Sequence, residues 1–369
     1  MIAATEKAQI AEIVRNISAT FETSFSLSAN PRLGSQESYQ SLSEHSIREH
    51  TEELAPEKKQ RVLAEFNAAG PIETLLADDT VIEIMIGGRD TIWVETRQRF
   101  FHLDDGFYSD LTFNNFIHRV CEEANMQTTQ AAPFANGVWR GFRAHLTAPP
   151  ITAQHTLTLR RVRSDSFSLE DLRDSGWCDS ENLARLKTLV HEKKNCLVIG
   201  NTGSGKTTLL NALVREAGAD RCVFIEDTPE LLAANSASVK LLTRFDSQGN
   251  LPEVTQSDLV KQSLRMRPDR LIIGETRGAE AKDLLMALAT GHRGSMTSLH
   301  AFTPNEALLR LEMLIQMGAP QWGLEAIRRL IQFTVEALII TRKEKTKWHL
   351  EGIYKISSQE KFGFIVEAY

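Results

Sequence analysis

The sequence predicts an α/β protein: a doubly covered parallel sheet preceded by a smaller α+β region. Two observations carry this. Beyond residue 164, short apolar runs such as Cys196-Leu-Val-Ile-Gly200, Cys222-Val-Phe-Ile-Glu226 and Leu271-Ile-Ile-Gly-Glu275 alternate with helical stretches. Brief strands separated by helices are buried on both faces and pair in parallel. Before them, the β-rich runs 81–86 and 91–95 are joined through Gly87-Gly88, a hairpin signature.

The elements follow in order. Ile10, Ile13, Val14 and Ile17 recur at helical spacing, so residues 1–20 predict an amphipathic helix. Residues 23–46 are rich in Ser, Gln, Glu and Asn and predict a flexible linker. Helix formers return over 46–69 and stop at Gly70-Pro71. This arm is too thin to form a core alone. The hairpin 81–95 is followed by a third strand at 99–103, a helix over 111–125, and strands at 141–147 and 156–161. A polar stretch at 163–166 closes this region. Helices are expected at 169–174, 181–192, 206–217, 256–266 and 279–289, and strands at 196–200, 222–226, 271–275 and 295–300. The expected division is an arm at 1–70, an α+β domain at 71–163 and a larger α/β domain at 164–369.

Composition narrows the function. The 369 residues carry 42 Lys+Arg against 48 Asp+Glu, a net charge of −6, which argues against a dedicated nucleic-acid binder. No apolar stretch approaches the roughly 18 residues of a membrane span, and the start lacks the basic and apolar regions of a signal peptide. Cys121, Cys178, Cys196 and Cys222 are scattered with no C-x-x-C pair, so neither a disulfide framework nor a zinc ribbon is expected. The cytosol is the expected compartment.

Gly200-Asn-Thr-Gly-Ser-Gly-Lys-Thr207 satisfies G-x-x-x-x-G-K-[ST] between an apolar strand and a helix. Its glycines let the backbone curl so that successive N–H groups converge on a phosphate, and the following helix adds its positive end. Gly200, Asn201, Thr202, Gly203, Ser204, Gly205, Lys206, Thr207 and Thr208 are the expected nucleotide-binding residues. Lys206 would reach the β- and γ-phosphates of ATP and the Thr207 hydroxyl would ligate Mg²⁺. Glu275, ending an apolar strand, is the candidate to orient or activate the attacking water. Most hydrolases of this class place an Asp just before that glutamate to help hold the metal; here Gly274 stands there. Glu226 and Asp227, ending the preceding strand, are the expected replacements.

Four ordered motifs carry a family resemblance. Ile225-Glu-Asp-Thr-Pro-Glu-Leu231 resembles the Asp box of the type II/IV secretion ATPase superfamily, and Gly291-His-Arg-Gly-Ser-Met-Thr-Ser-Leu-His-Ala301 is similar to its His box. The run from Leu264 through Arg-Met-Arg-Pro-Asp-Arg-Leu-Ile-Ile-Gly-Glu-Thr-Arg-Gly-Ala to Glu280 resembles most narrowly the CpaF/TadA-type pilus-assembly (Tad/Flp) ATPases. In the front domain, the runs 70–76, 82–86 and 157–160 sit where that family has equivalents. The resemblance implies a RecA-like P-loop motor domain after a PAS-like α+β domain and a helical arm, assembled as a homohexamer. It assigns Glu226 as the Asp-box acid, Glu275 as the Walker B glutamate and His300 as the γ-phosphate sensor. Arg143 and Arg160 become the front-domain arginines that reach the phosphates. Arg265, Arg267 and Arg277 resemble arginines at subunit or domain contacts; with Arg270 they are expected to gather around the nucleotide, and Arg293 to add charge there. An integral inner-membrane platform protein is the implied partner, placing the ring peripherally on the cytoplasmic face. Conjugation-type secretion ATPases share this frame. A P-loop also suits a RecA-like nucleic-acid motor or a non-hydrolysing scaffold; the acidic charge speaks against the first, and the presence of Glu226 and Glu275 against the second.

Overall fold

A computed structural model describes residues 4–27, 47, 49–162, 167–244, 251–345, 347–360 and 363–369. Residues 28–46 of the expected linker, the polar stretch 163–166 and residues 245–250 lie outside them. The described residues form two compact units, parting between Val162 and Phe167.

The first unit is built on a six-stranded antiparallel sheet in the order β3-β2-β1-β6-β5-β4. Its strands are β1 (Val81–Gly88), β2 (Thr91–Thr96), β3 (Phe100–His102), β4 (Phe134–Trp139), β5 (Phe142–Thr147) and β6 (Thr156–Arg161). Side chains alternate across a strand, so one face collects Ile84, Ile86, Val94, Ala144, Leu146, Leu157 and Leu159. The helix Asp110–Glu123 covers that face with Phe113, Phe116, Ile117 and Val120. Ser109 caps this helix by accepting from the Thr112 N–H at 3.1 Å. Strand β4 escapes the sequence pattern because Asn136 and Gly137 dilute its β signal. Gly137 is needed there: a Cβ would lie 2.7 Å from Met126 Cγ and 2.9 Å from the Ala124 carbonyl.

The first helix runs from Ala4 to Leu27, so residues 23–27 of the expected linker are helical. Its buried stripe Ile10, Val14 and Ile17 packs with Ile47 and Val62. The expected helix over 46–69 is interrupted, and Pro56, pre-set for a first helical turn, starts the helix Pro56–Asn67.

The second unit holds an eight-stranded sheet in the order β14-β13-β12-β7-β11-β10-β8-β9. These are β7 (Cys196–Ile199), β8 (Cys222–Glu226), β9 (Val239–Leu242), β10 (Arg270–Ile273), β11 (Met296–Leu299), β12 (Ala337–Glu344), β13 (Lys347–Glu360) and β14 (Gly363–Ala368). Strands β7 to β12 pair in parallel; β13 and β14 extend the sheet antiparallel. All four residues of β7 are buried, because Leu197 and Ile199 enter one core and Cys196 and Val198 the other. Helices Gln256–Ser263, Glu280–Ala289, Pro304–Gly318 and Leu324–Thr334 build the first core; Leu169–Asp174, Ser180–His191 and Lys206–Ala217 build the second. Each fully buried Leu, Ile or Val contributes about 1.5–3 kcal/mol, so this central strand is firmly fixed. The doubly covered parallel sheet expected from the sequence is present. Helices Pro304–Gly318 and Leu324–Thr334 and strands β9 and β12–β14 are additional to the expected elements.

Candidate nucleotide site

Strand β7 ends in mid-sheet at Ile199, between Leu299 of β11 and Ile340 of β12. The chain must then turn sharply in little space. At Gly200 a Cβ would sit 2.4 Å from Ser204 Oγ and 2.5 Å from the Thr341 carbonyl, so only glycine fits. Gly203 and Gly205 adopt φ of +74° and +96°, the left-handed region that glycine enters without strain. Immediately after, the helix Lys206–Ala217 presents its N-terminus. Curl, free N–H groups and helix dipole converge on one spot, as anion binding requires.

Lys206 is buried, and its ammonium donates to the carbonyls of Gly200 at 3.0 Å and Asn201 at 2.9 Å. It also meets His300 Nδ1 at 3.2 Å. An ammonium has no acceptor, so Nδ1 must accept and the ring proton sits on Nε2. That nitrogen faces Glu275 Oε1 at 3.0 Å. Burial, then the Lys206 charge, lower the His300 pKa, which keeps the ring neutral at pH 7 and preserves this tautomer. The other Glu275 oxygen accepts from Arg277 Nη2 at 2.6 Å. Burial pushes the Glu275 pKa up, but the Arg277 hydrogen bond and the charges of Arg277, His300 and Lys206 outweigh it, so the carboxyl is held low and ionised. One chain of contacts therefore runs from the phosphate-loop lysine through His300 to the ionised carboxylate of Glu275.

Beside it, Glu226 ends β8 and is buried. Its Oε1 accepts from the N–H groups of Glu230 at 2.9 Å and Leu231 at 2.8 Å, while Oε2 is buried with no hydrogen-bond partner. Burial pushes its pKa up against those two bonds. Gly274 now explains the missing aspartate. A Cβ there would lie 3.2 Å from Glu226 Cγ, so Glu226 already occupies the space that an aspartate side chain would enter. Asp227 is turned elsewhere with one oxygen: Oδ1 accepts from Thr243 Oγ1 at 3.1 Å and Gln256 Nε2 at 3.0 Å. Its Oδ2 lies 4.0 Å from Arg277 Nη1. The carboxylate that the Thr207 hydroxyl meets is Glu230, at 3.4 Å. Glu230 stands within the Asp-box run, yet nothing in its local spacing distinguishes it from a turn residue. Thr341, which meets Ser204 Oγ at 2.8 Å, has no sequence signal at all.

The expected basic cluster is not gathered at the phosphate loop. Arg270 opens β10, the end of a parallel strand opposite to the one that bears the loop. It is buried as a structural tie, donating to Asp220 Oδ2 at 2.7 Å, the Gly294 carbonyl at 3.0 Å and the Val190 carbonyl at 2.7 Å. Arg265 and Arg267 lie in the turn entering that same end, where Arg221 Nε donates to the Met266 carbonyl at 3.1 Å. Arg293, before β11, pairs at 3.4 Å with Glu336, before β12. Strand polarity is the reason: residues preceding parallel strands collect on the edge away from the site. Of the expected arginines in this unit, Arg277 alone joins the described contacts of the loop. His292 Nδ1 is engaged with the Ala287 carbonyl at 3.0 Å, a turn contact. Arg143 and Arg160 belong to the other unit, where they are direct cross-strand partners on the face opposite the helix Asp110–Glu123.

The profile of the type II/IV secretion system protein family matches residues 65–348. The chain belongs to this family. A protein of Mycobacterium tuberculosis named for conjugal transfer is 35% identical over 268 residues, which is 70% of this chain and 76% of the relative. The type IV secretion system protein VirB11 of Bartonella henselae is 28% identical over 323 residues, 77% of this chain and 90% of its own. Among solved structures, the pilus retraction motor PilT with bound ADP has a TM-score of 0.54 at 19% identity, covering 80% of each chain. The Legionella pneumophila ATPase DotB has a TM-score of 0.52 at 18% identity, covering 77% of this chain and 78% of that one. The fold of this family member is thus an N-terminal domain plus a RecA-like domain.

Proposed function

We propose that the chain is an ATP-hydrolysing motor that works as a homohexamer at the cytoplasmic face of the inner membrane, held there by an integral platform protein. The observation carrying this is the contact chain Lys206–His300–Glu275–Arg277, which ties a phosphate loop to an ionised carboxylate. Residues 200–208 would hold the ATP phosphates. Among the described residues no cluster of three or more His, Cys, Asp or Glu is arranged to hold a metal by itself. Mg²⁺ suits such a site, since it keeps several waters and needs one or two protein groups besides phosphate oxygens. Thr207, Glu226 and Asp227 are the groups for it, joined by Glu230; the unpartnered buried Glu226 Oε2 is the atom that fits. Bound Mg²⁺ would supply neutralising charge across the phosphates.

Glu275 orients and deprotonates the attacking water, and His300 links that carboxylate to Lys206. Arg143 and Arg160 supply the positive charge that transition-state oxygens require, an effect of roughly 10³–10⁵ in rate for an arginine so placed.

The motif run 264–280 favours a Tad/Flp-like pilus-assembly or secretion machine. The relatives named for conjugal transfer and type IV secretion favour a second reading, export of DNA or protein. Direct nucleic-acid binding is not part of the first reading. The test is phosphate release by the purified chain: Lys206→Ala loses nucleotide binding, and Arg143→Ala keeps affinity while slowing turnover. No hydrolysis by the hexameric wild type refutes the motor, and DNA-stimulated turnover refutes the pilus reading. Loss of pili against loss of conjugative transfer in a deletion strain separates the two machines.

A further inference from the structure

We propose that Trp348 is a positioning residue for the nucleotide, holding the phosphate loop in its binding shape from the β12–β13 hairpin; this rests on the ATP-binding reading above. A cradle that aims N–H groups at a phosphate must aim carbonyls elsewhere, and those at its tip have no helix or strand partner. Gly203 is at that tip. Its carbonyl accepts from Trp348 Nε1 at 2.8 Å. In the same peptide plane, the Ser204 N–H donates to the Asn201 carbonyl at 3.2 Å. The plane is tied at both ends, so it cannot turn without breaking two hydrogen bonds.

The side-chain type matters. An indole N–H donates and never accepts, so it satisfies the outward carbonyl without competing for the inward N–H groups that a phosphate needs. A serine or glutamine in its place would offer an acceptor as well. The ring also backs the loop, with Cδ1 placed 3.5 Å from where a Cβ of Gly205 would be. Lys343 lies over its face at 5.0 Å, putting a cation beside the cradle.

A second tie comes from the same hairpin. Thr341 Oγ1 meets Ser204 Oγ at 2.8 Å and the Ile199 carbonyl at 3.3 Å. Two consecutive loop residues, Gly203 and Ser204, are therefore gripped by one hairpin, and that hairpin is laid in register on β7. Loop and hairpin move as one body, and a shift of the hairpin alters nucleotide affinity.

Trp348→Phe keeps the ring and deletes only the donor. ADP binding measured by calorimetry should weaken by roughly three- to tenfold, the size of one net hydrogen bond. Turnover at saturating ATP should fall by less than about twofold, since no reacting atom is touched. Wild-type affinity in Trp348→Phe overturns the inference. Failure of the wild type itself to bind ADP overturns the ATP-binding reading instead. Fluorine NMR of chain labelled with 5-fluorotryptophan gives a readout from the intact protein. The Trp348 resonance, assigned by its loss in Trp348→Phe, should shift as ADP saturates. A resonance that stays fixed while ADP binds also overturns the inference.

Discussion

Replacing Gly274 by Asp would supply the carboxylate that most P-loop hydrolases carry at this position, and it should destabilise this chain. A Cβ at 274 lies 3.2 Å from Glu226 Cγ and 3.6 Å from Oε1. The new carboxylate would therefore sit roughly 4 Å from that of Glu226, where two like charges at an effective dielectric of 20 repel by about 4 kcal/mol. Gly274→Asn has the same shape and no charge, so the difference between the two variants isolates the repulsion. In urea unfolding at pH 8, Asp should be less stable than Asn by about 4 kcal/mol. In a Glu226→Gln background the gap should close. Acid should close it too. The Glu226 pKa is already raised by burial, so its protonated form is favoured in the fold. Stability linked to that proton is fully present below the unfolded glutamate pKa and is lost as pH rises through the folded one. Equal stability of the Asp and Asn variants at pH 8 refutes the reasoning.

Other outcomes follow from the same geometry. Glu275→Gln should cut phosphate release by roughly 10²–10⁴ while keeping ATP bound, because Lys206 and the loop are untouched; near-normal turnover removes Glu275 as the base. His300 has a pKa below its ordinary value, so turnover should decline only in acid, below about pH 6.5, and His300→Asn should flatten that limb of the pH profile. Glu226→Gln should raise the melting temperature at pH 8 and leave it nearly unchanged at pH 4, since it removes a buried charge only where that charge exists; the same shift at both pH values contradicts this. Arg270→Ala should cost about 1–3 kcal/mol of stability by taking the donor from the buried Gly294 carbonyl, while Asp220 keeps Lys193 and the Val190 carbonyl keeps the Lys193 N–H, with nucleotide affinity of the folded fraction intact. A selective loss of affinity would return Arg270 to the site.

What the sequence discloses depends on the span over which each interaction is encoded. The phosphate loop is local: one unbroken run specifies curl, lysine and hydroxyl, so Gly200 to Thr207 are legible at once. The doubly covered sheet is legible because the runs at 196, 222 and 271 are apolar throughout, a signal that survives without partners. Arg270 misleads because its closeness to Glu275 in the motif hides strand polarity; the length of β10 separates the loop edge from its opposite. Gly274 is legible as an absence, and only the position of Glu226 shows what fills the space. Thr341 and Trp348 are invisible, since no short window relates them to Ser204 or Gly203.

The placement of β12 has a consequence for how the molecule is made. The hydrogen bond between Ser204 and Thr341 spans 137 residues, and β7 keeps an open flank until β12 arrives beside it. During synthesis at about 5–20 residues per second, a ribosome would take on the order of ten seconds to deliver that strand after the loop has emerged. Through that interval the cradle lacks its wall, and the unpaired edge of β7 is exposed to other nascent chains. The ties of Thr341 and Trp348 to the loop can thus form only after the last strands of the sheet have been made.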